Sequence, residues 1–340
     1  MSQGSRRAQQ VAIIGGGTVG SVTVDLLRSL TQVEVTGVLV RDVTAPRRFD
    51  GWQELVTDDA AFLGDADLVV EVAGGTGSAA DHALVALERG ALLVTANKAA
   101  LAERWDDFAP YLRDGRVWCE AAVMAGTPVV GALCHALRGC RPQSLHAILN
   151  GTCNVILSDM ESGKAFDDAL ARAQAAGFAE ADPTLDVDGT DAAHKATVLA
   201  RLAFDPGLTF ADVRAGTRGV TGVDPEAVAG EVARGRSVRL VASVFAGPEG
   251  WEAQVRPLSL PFEHPLVTRG PVNAAQFVGD PLGEVYFRGA GAGGGATATA
   301  VVSDVIAALA GGRAHVPRSS PAQPPDLTGG SGLPAGAEAL

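Results

Sequence analysis

Aromatic side chains are scarce: Phe, Trp and Tyr make up 5% of the 340 residues, while hydrophobic content is 47%. The core must therefore be built from Ala, Val and Leu. Basic residues are in deficit, 27 Lys+Arg against 39 Asp+Glu, for a formal net charge of −12. That balance argues against nucleic acid or an anionic membrane as the main partner and leaves room for one local basic site for a phosphate. Cysteines number four, at Cys119, Cys134, Cys140 and Cys153. No C-x-x-C pair and no His/Cys cluster at zinc spacing occurs among them, so they read as free, reduced thiols of a cytoplasmic protein. The N-terminal MSQGSRRAQQ is polar, and the apolar run after it is broken by Gly15, Gly16 and Gly17, which fits neither a signal peptide nor a membrane span. There is no internal repeat. A chain of 340 residues predicts about two domains and is long enough to bury a large core.

What is present begins with VAII (11–14), a short buried-strand run, followed by GGGTVG and a helical SVTVDLLRSL. Gly15, Gly17 and Gly20 fit G-x-G-x-x-G, with Thr18 and Val19 inside it. Glycines there allow a tight turn and let backbone approach a pyrophosphate at a helix N-terminus. The motif alone is weak; strand before it and helix after it strengthen it. The next strand is VEVTGVLV (33–40). It ends at Arg41–Asp42, with Arg47 and Arg48 following. Arg41 there suits a 2′-phosphate and so favours NADP, while Asp42 keeps NAD open; solvated loop arginines are the plain alternative. ADLVVEVAGG (66–75) reads as a buried strand ending at Gly74 and Gly75, then come a helix from SAADHALVALERG and a strand ending in Asn97 and Lys98. Strand carboxyl ends are where open α/β sheets bind ligands. The alternation predicts a doubly wound parallel sheet. Residues 238–246, 253–260 and 271–279 read as strands of a second sheet, bounded by prolines. Residues 289–312 read as a glycine-rich turn entering an apolar helix, and 313–340, rich in Pro, Gly and Ser, as a disordered tail.

The stretch EADPTLDVDGTDAAHK holds five carboxylates, Glu180, Asp182, Asp186, Asp188 and Asp191, and ends in Lys195. Asp191 and Lys195 are four apart on a predicted helix and share a face, so the carboxylate orients the ammonium. Such a lysine can donate a proton to an oxygen gaining negative charge, and spare carboxylates suit the ammonium of an amino-acid substrate. A calcium loop fails on register: with Gly189 sixth, Lys195 falls at the twelfth, ligating position. An ordinary surface ion pair beside a solvated loop is the other plain reading.

Taken in order, GGGTVG, VVEVAGG, TANK, EAAVMAGTP, ILNGTCN, AGFAEADPTLDVDGTDAAHK and GAGAGGGATA resemble homoserine dehydrogenase from about residue 10 to 312. That resemblance implies a Rossmann-type sheet plus an α+β catalytic and dimerisation domain. The expected boundaries are 1–128 for the nucleotide domain, 129–288 for the substrate domain and 289–312 for a returning loop and helix. It implies reversible NAD(P)-dependent interconversion of L-homoserine and L-aspartate 4-semialdehyde by a cytoplasmic homodimer of amino-acid biosynthesis. Lys195 then matches the proton donor, with Lys98 as a second lysine between cofactor and substrate. Glu180, Asp186, Asp191, Gly151 and Thr152 match the substrate pocket. Gly15, Gly17, Val19, Gly20 and Gly293 match cofactor contacts, and Glu120, Val123, Ala125 and Thr127 a sodium site. Cys153 stands where threonine is usual, Met124 where a smaller residue is usual, and His194 where an aromatic or small residue is common. No ACT-type domain is expected after residue 312 and no kinase domain before the nucleotide domain. Two alternatives remain: a dehydrogenase of another amino acid such as aspartate, and a non-catalytic dinucleotide sensor.

Overall fold

Residues 7–325 and 332–340 are described in a computed structural model of the chain. They fall into two units, Met1–Gly126 with Gly293–Val316, and Thr127–Ala292 with Pro317–Leu340.

The first unit is organised on strands β1 (Gln9–Ile14), β2 (Val33–Leu39), β3 (Val56–Thr57), β4 (Leu68–Glu71), β5 (Leu92–Thr95) and β6 (Val117–Trp118). They lie in the order β3-β2-β1-β4-β5-β6, and every pair is parallel. Parallel sheets are covered on both faces, so their strands read as continuous apolar runs. The AII of β1 and the LVV of β4 are such runs and are wholly buried. Val11, Ile13, Val38, Val70 and Val94 share one core with Ala300, Val301 and Val305 of the helix Gly294–Leu309. Chain order reverses between β1 and β4, which opens a ligand crevice at their carboxyl ends.

The second unit contains β7 (Arg141–Ile148), β8 (Arg236–Gly247), β9 (Gly250–Pro261), β10 (Val272–Asp280), β11 (Gly283–Ala290) and β12 (Glu338–Ala339). Their order is β11-β10-β7-β8-β9-β12, antiparallel throughout. The helix Thr190–Ala203 packs on β8 and β9 and is buried from Ala192 to Ala203. A helix buried all round needs small residues where backbones approach, and TDAAHKATVLARLA supplies five alanines.

The structure differs from the sequence reading in three places. The first unit ends at Gly126 and resumes at Gly293, with Thr127–Ala292 between. Strand β11 extends to Ala290, so the returning segment begins later than residue 289. The supposed tail is ordered wherever it is described. Trp118 Nε1 donates to Arg313 O, Trp251 Nε1 donates to Ala322 O at 2.7 Å, Ala322 N donates to Phe204 O, and β12 pairs with β9. Buried Ala314, His315 and Ala322 explain why a Pro- and Gly-rich composition misled: a few anchored positions fix a segment whose average is polar. Residues 326–331 lie outside the described residues.

Candidate active site

In the first unit, β1 ends on Gly15, whose φ of 106° is open to glycine alone at little cost. A Cβ there would sit 2.7 Å from Ala73 N, beyond β4, and a Cβ on Gly20 would sit 1.9 Å from Gly15 O. The turn is closed by backbone lying on backbone. It delivers the chain to the helix Thr18–Arg28, whose N-cap Gly17 has no side-chain cap and nothing within 4 Å of a built Cβ. Uncapped N–H groups with space beside them make an anion seat. Gly294, next to Gly293, packs on Thr18, with a built Cβ 2.9 Å from Thr18 Cγ2. Both helix N-termini therefore meet at the glycine turn.

Facing the turn's second wall is a polar network that composition does not reveal. Glu71, at the end of β4, accepts from Ala73 N and Gly74 N through Oε1 and from Thr95 Oγ1 through Oε2. Burial pushes its carboxyl above the ordinary range, and those hydrogen bonds oppose the shift. Thr95 Oγ1 accepts from Asn97 N, and Asn97 caps the helix Lys98–Glu103 while donating to Gly75 O at 2.7 Å. Gly74 and Gly75, with φ of 76° and 83°, are held by this network. Lys98 opens that helix and is half-buried.

Arg41 is exposed, whereas Arg47 lies across the glycine turn, donating to Asp42 O at 2.6 Å and to Gly16 O at 3.4 Å, with its Nε buried and unpartnered. One Asp42 oxygen accepts from Thr44 N, Thr44 Oγ1 and Ala45 N, and the Thr44 hydroxyl foremost holds this carboxyl below its ordinary range.

In the second unit, Lys195 is 9% exposed. Its ammonium donates to Asp191 Oδ2 and to Leu149 O, both at 2.7 Å. The surface-pair reading is thereby excluded. Asn150, just past β7, joins the rest: Oδ1 accepts from Cys153 N and caps the helix Gly151–Glu161, while Nδ2 donates to Asp186 at 2.7 Å and to Asp191 at 2.9 Å. Burial raises the Asp186 carboxyl, the Asn150 bond opposes that, and the Asp191 charge adds to it. Cys153 donates to Asp186 O, and burial raises its thiol well above the ordinary range, so it is a packed thiol and no nucleophile.

The other predicted residues are placed differently. Asp182 is bound to Thr184 N and Oγ1, and Asp188 to Thr190 N and Arg214. Of the five carboxylates, these two serve local turns. Glu180 is exposed and is not among the partners of Asn150 or Lys195. Gly151 abuts Pro271, and Thr152 donates to Phe178 O. Glu120, Val123 and Ala125 are buried in the first unit, where Met124 and Ala125 have φ of 57° and 48°. Thr127, buried in the second unit, lends its carbonyl to Val129 N. Glu120 N donates to Asp304, whose carboxyl is pushed up to about 8, chiefly by burial.

Residues 128–306 match the family description "Homoserine dehydrogenase", and residues 15–109 match "Homoserine dehydrogenase, NAD binding domain". The homoserine dehydrogenase of Corynebacterium glutamicum is 38% identical over 340 residues, covering 92% of this chain and 75% of its own. The chain belongs to the homoserine dehydrogenase family. The Synechocystis homoserine dehydrogenase is 40% identical over 316 residues, covering 87% of this chain and 72% of its own. Among solved structures, the homoserine dehydrogenase of Thiobacillus denitrificans superimposes with a TM-score of 0.82 at 31% identity, covering 94% of this chain and 80% of that one. A hyperthermophilic archaeal homoserine dehydrogenase in complex with NADPH gives 0.75 at 29% identity, covering 89% and 98%. The chain is thus an oxidoreductase of this family, with a nicotinamide-dinucleotide domain in front of the homoserine dehydrogenase domain. The residue that sequence reading passed over is Asn150. Its signal was there, since Asn before Gly-Thr and an apolar helical run is a cap. Glu71 had none beyond its strand-end position.

Proposed function

We propose that Lys195 is the acid–base group in the interconversion of L-homoserine and L-aspartate 4-semialdehyde, with Asp191, Asp186 and Asn150 forming the polar wall that orders the substrate. Oxidising the primary alcohol removes a hydride from carbon and a proton from oxygen; accepting or returning that hydride is the chemistry a nicotinamide would supply when bound. The proton is the protein's task. Two ammonium N–H bonds of Lys195 are engaged, by Asp191 and Leu149, and the third serves the substrate oxygen. In the reducing direction Lys195 donates as that oxygen gains charge; in the oxidising direction it accepts the proton. The single observation behind this reading is a buried lysine held at 2.7 Å by both a carboxylate and a carbonyl.

The cofactor reading rests on the uncapped helix N-terminus and on glycines whose added Cβ atoms would strike backbone. Thr18, Val19 and Gly20 on that helix, Gly74, Gly75, Asn97 and Lys98 at the strand ends, and Gly293 are the residues that would hold it. NADP is the preferred form, because Arg41 is exposed just past the end of β2 and one Asp42 oxygen already serves Thr44 and Ala45. The archaeal relative's NADPH complex agrees with that choice. Arg41→Ala should weaken NADPH more than NADH in fluorescence titration; equal losses remove the preference. A sodium ion at Glu120, Val123 and Ala125 is supported by the two left-handed non-glycine residues, each of which stores roughly 1–3 kcal/mol that a bound ion can repay. It would supply structure rather than chemistry. We also assign a homodimer, which light scattering decides against the 34.6 kDa of one chain.

The deciding experiment is Lys195→Ala, assayed at 340 nm with homoserine and with aspartate. Turnover on homoserine should fall by about 10²–10⁴-fold while NADP(H) affinity stays within about twofold. Wild-type turnover in that variant, or reaction with aspartate in place of homoserine, overturns the reading.

A further inference from the structure

Leu149 is the last residue before the Asn150 cap, and its carbonyl carries two donors. One is the Lys195 ammonium at 2.7 Å; the other is Asn273 Nδ2 at 3.1 Å, from β10. A carbonyl has two lone pairs, so this acceptor is filled. Asn273 has 0% exposure, and its own Oδ1 is buried without a partner. An amide with one end left unmade is an unfavourable choice for a sheet interior that could hold Val or Leu there. Turning the amide over would not help, because it would set oxygen against the Leu149 oxygen. The neighbouring chain is shaped to keep the amide in place. A Cβ on buried Gly291 would lie 2.1 Å from Asn273 Oδ1, so Gly291 leaves the space that this amide occupies.

We infer that Asn273 is a positioning residue for proton transfer: it tethers the Leu149–Asn150 peptide from the adjacent strand, and that peptide sets where the Lys195 ammonium rests. The peptide is a junction. Its Leu149 carbonyl accepts from Lys195, and the residue on its other side, Asn150, donates through Nδ2 to Asp186 and Asp191. Without the tether, the end of β7 tilts and the ammonium moves with it, whereas the carboxylates remain joined to Asn150. Proton delivery depends steeply on such placement; electrostatic hold on a substrate does not. The unpartnered oxygen is the cost accepted for aiming the nitrogen at Leu149.

This inference rests on Lys195 as the acid–base group, and the test separates the two. Homoserine oxidation is measured for Asn273→Ala, Gly291→Ala, Lys195→Ala and the Asn273→Ala/Lys195→Ala pair, beside wild type. Asn273→Ala should lose about tenfold or more in kcat, by misplacement of the donor, with KM for homoserine within about threefold. Gly291→Ala, which displaces the amide while residue 273 stays asparagine, should reproduce that split. Should Asn273→Ala not fold, Gly291→Ala carries the test. In the Lys195→Ala background, removing Asn273 should change residual turnover by less than about twofold, because residues acting as one unit are non-additive. An additive loss, or a lowered melting temperature with kcat retained, makes Asn273 merely structural and overturns the inference. Wild-type turnover in Lys195→Ala instead overturns the functional reading beneath it.

Discussion

Asp186 and Asp191 share one amide nitrogen, and the site's charge balance follows from that arrangement. Asn150 meets both carboxylates, but Lys195 pairs directly only with Asp191. The Asp186 carboxyl is raised above its ordinary value, burial being the main cause. A substrate ammonium would favour its charged form, so binding is coupled to its ionisation. As pH falls through that raised value, Asp186 takes up a proton and loses its hold. The KM for homoserine should therefore rise on the acid side at a pH where an ordinary aspartate would still be charged. Asp186→Asn should raise KM throughout and flatten that acid limb; a variant that keeps the limb assigns it to another group. At this scale the sequence was partly legible. The i, i+4 spacing identified Asp191 and Lys195, because helical geometry alone puts them together. The acidic run could not show which carboxylates turn inward, since Asp182 and Asp188 satisfy their own loops. Asn273 lies 78 positions beyond Lys195, and only strand pairing brings it to Leu149.

The glycine turn and the helix after it form the element on which cofactor binding depends. Gly20 stands where any Cβ would enter Gly15 O, at 1.9 Å. Gly20→Ala should push the helix Thr18–Arg28 away from the turn, weakening NADP(H) by at least about tenfold, equivalent to roughly 1.4 kcal/mol. Isothermal titration reads this, and unchanged affinity would show that the turn is not the dinucleotide seat. Most elements of the first sheet were legible because parallel strands are unbroken apolar runs between turn signals. Strand β11 was missed: GEVYFRGA places only every second residue toward neighbours, and its glycines resemble a turn. The ordered terminal segment was missed for a related reason. Its hold comes from single anchors such as Trp251 to Ala322, which no periodic pattern announces.

For the whole molecule, two buried groups set opposite pH limits. His146 is pushed down to about 4 by burial. It stays neutral when folded, while the unfolded chain takes up a proton below about 6.5, so stability falls as pH drops from there toward 4. Asp304 is pushed up to about 8, again by burial. The folded chain keeps a proton that the unfolded chain has released near 3.8, so this group's contribution to stability falls as pH rises through that interval and is gone by about 8. Asp304→Asn keeps an acceptor for Glu120 N and removes the titration. Melting curves from pH 5 to 9, a span of roughly four units around neutrality, should lose their alkaline decline in that variant alone. An unchanged decline would move the effect to another group.

The first core takes part of its packing from far down the chain. Val11, Ile13 and Val38 share one core with Ala300, Val301 and Val305, yet 166 residues, Thr127–Ala292, belong to the second unit before that helix arrives. A ribosome extruding this chain must therefore release a complete middle while the beginning still has a bare flank. The opening parallel sheet waits with its apolar side uncovered until synthesis passes residue 309, and that interval is when a newborn chain has most need of a chaperone.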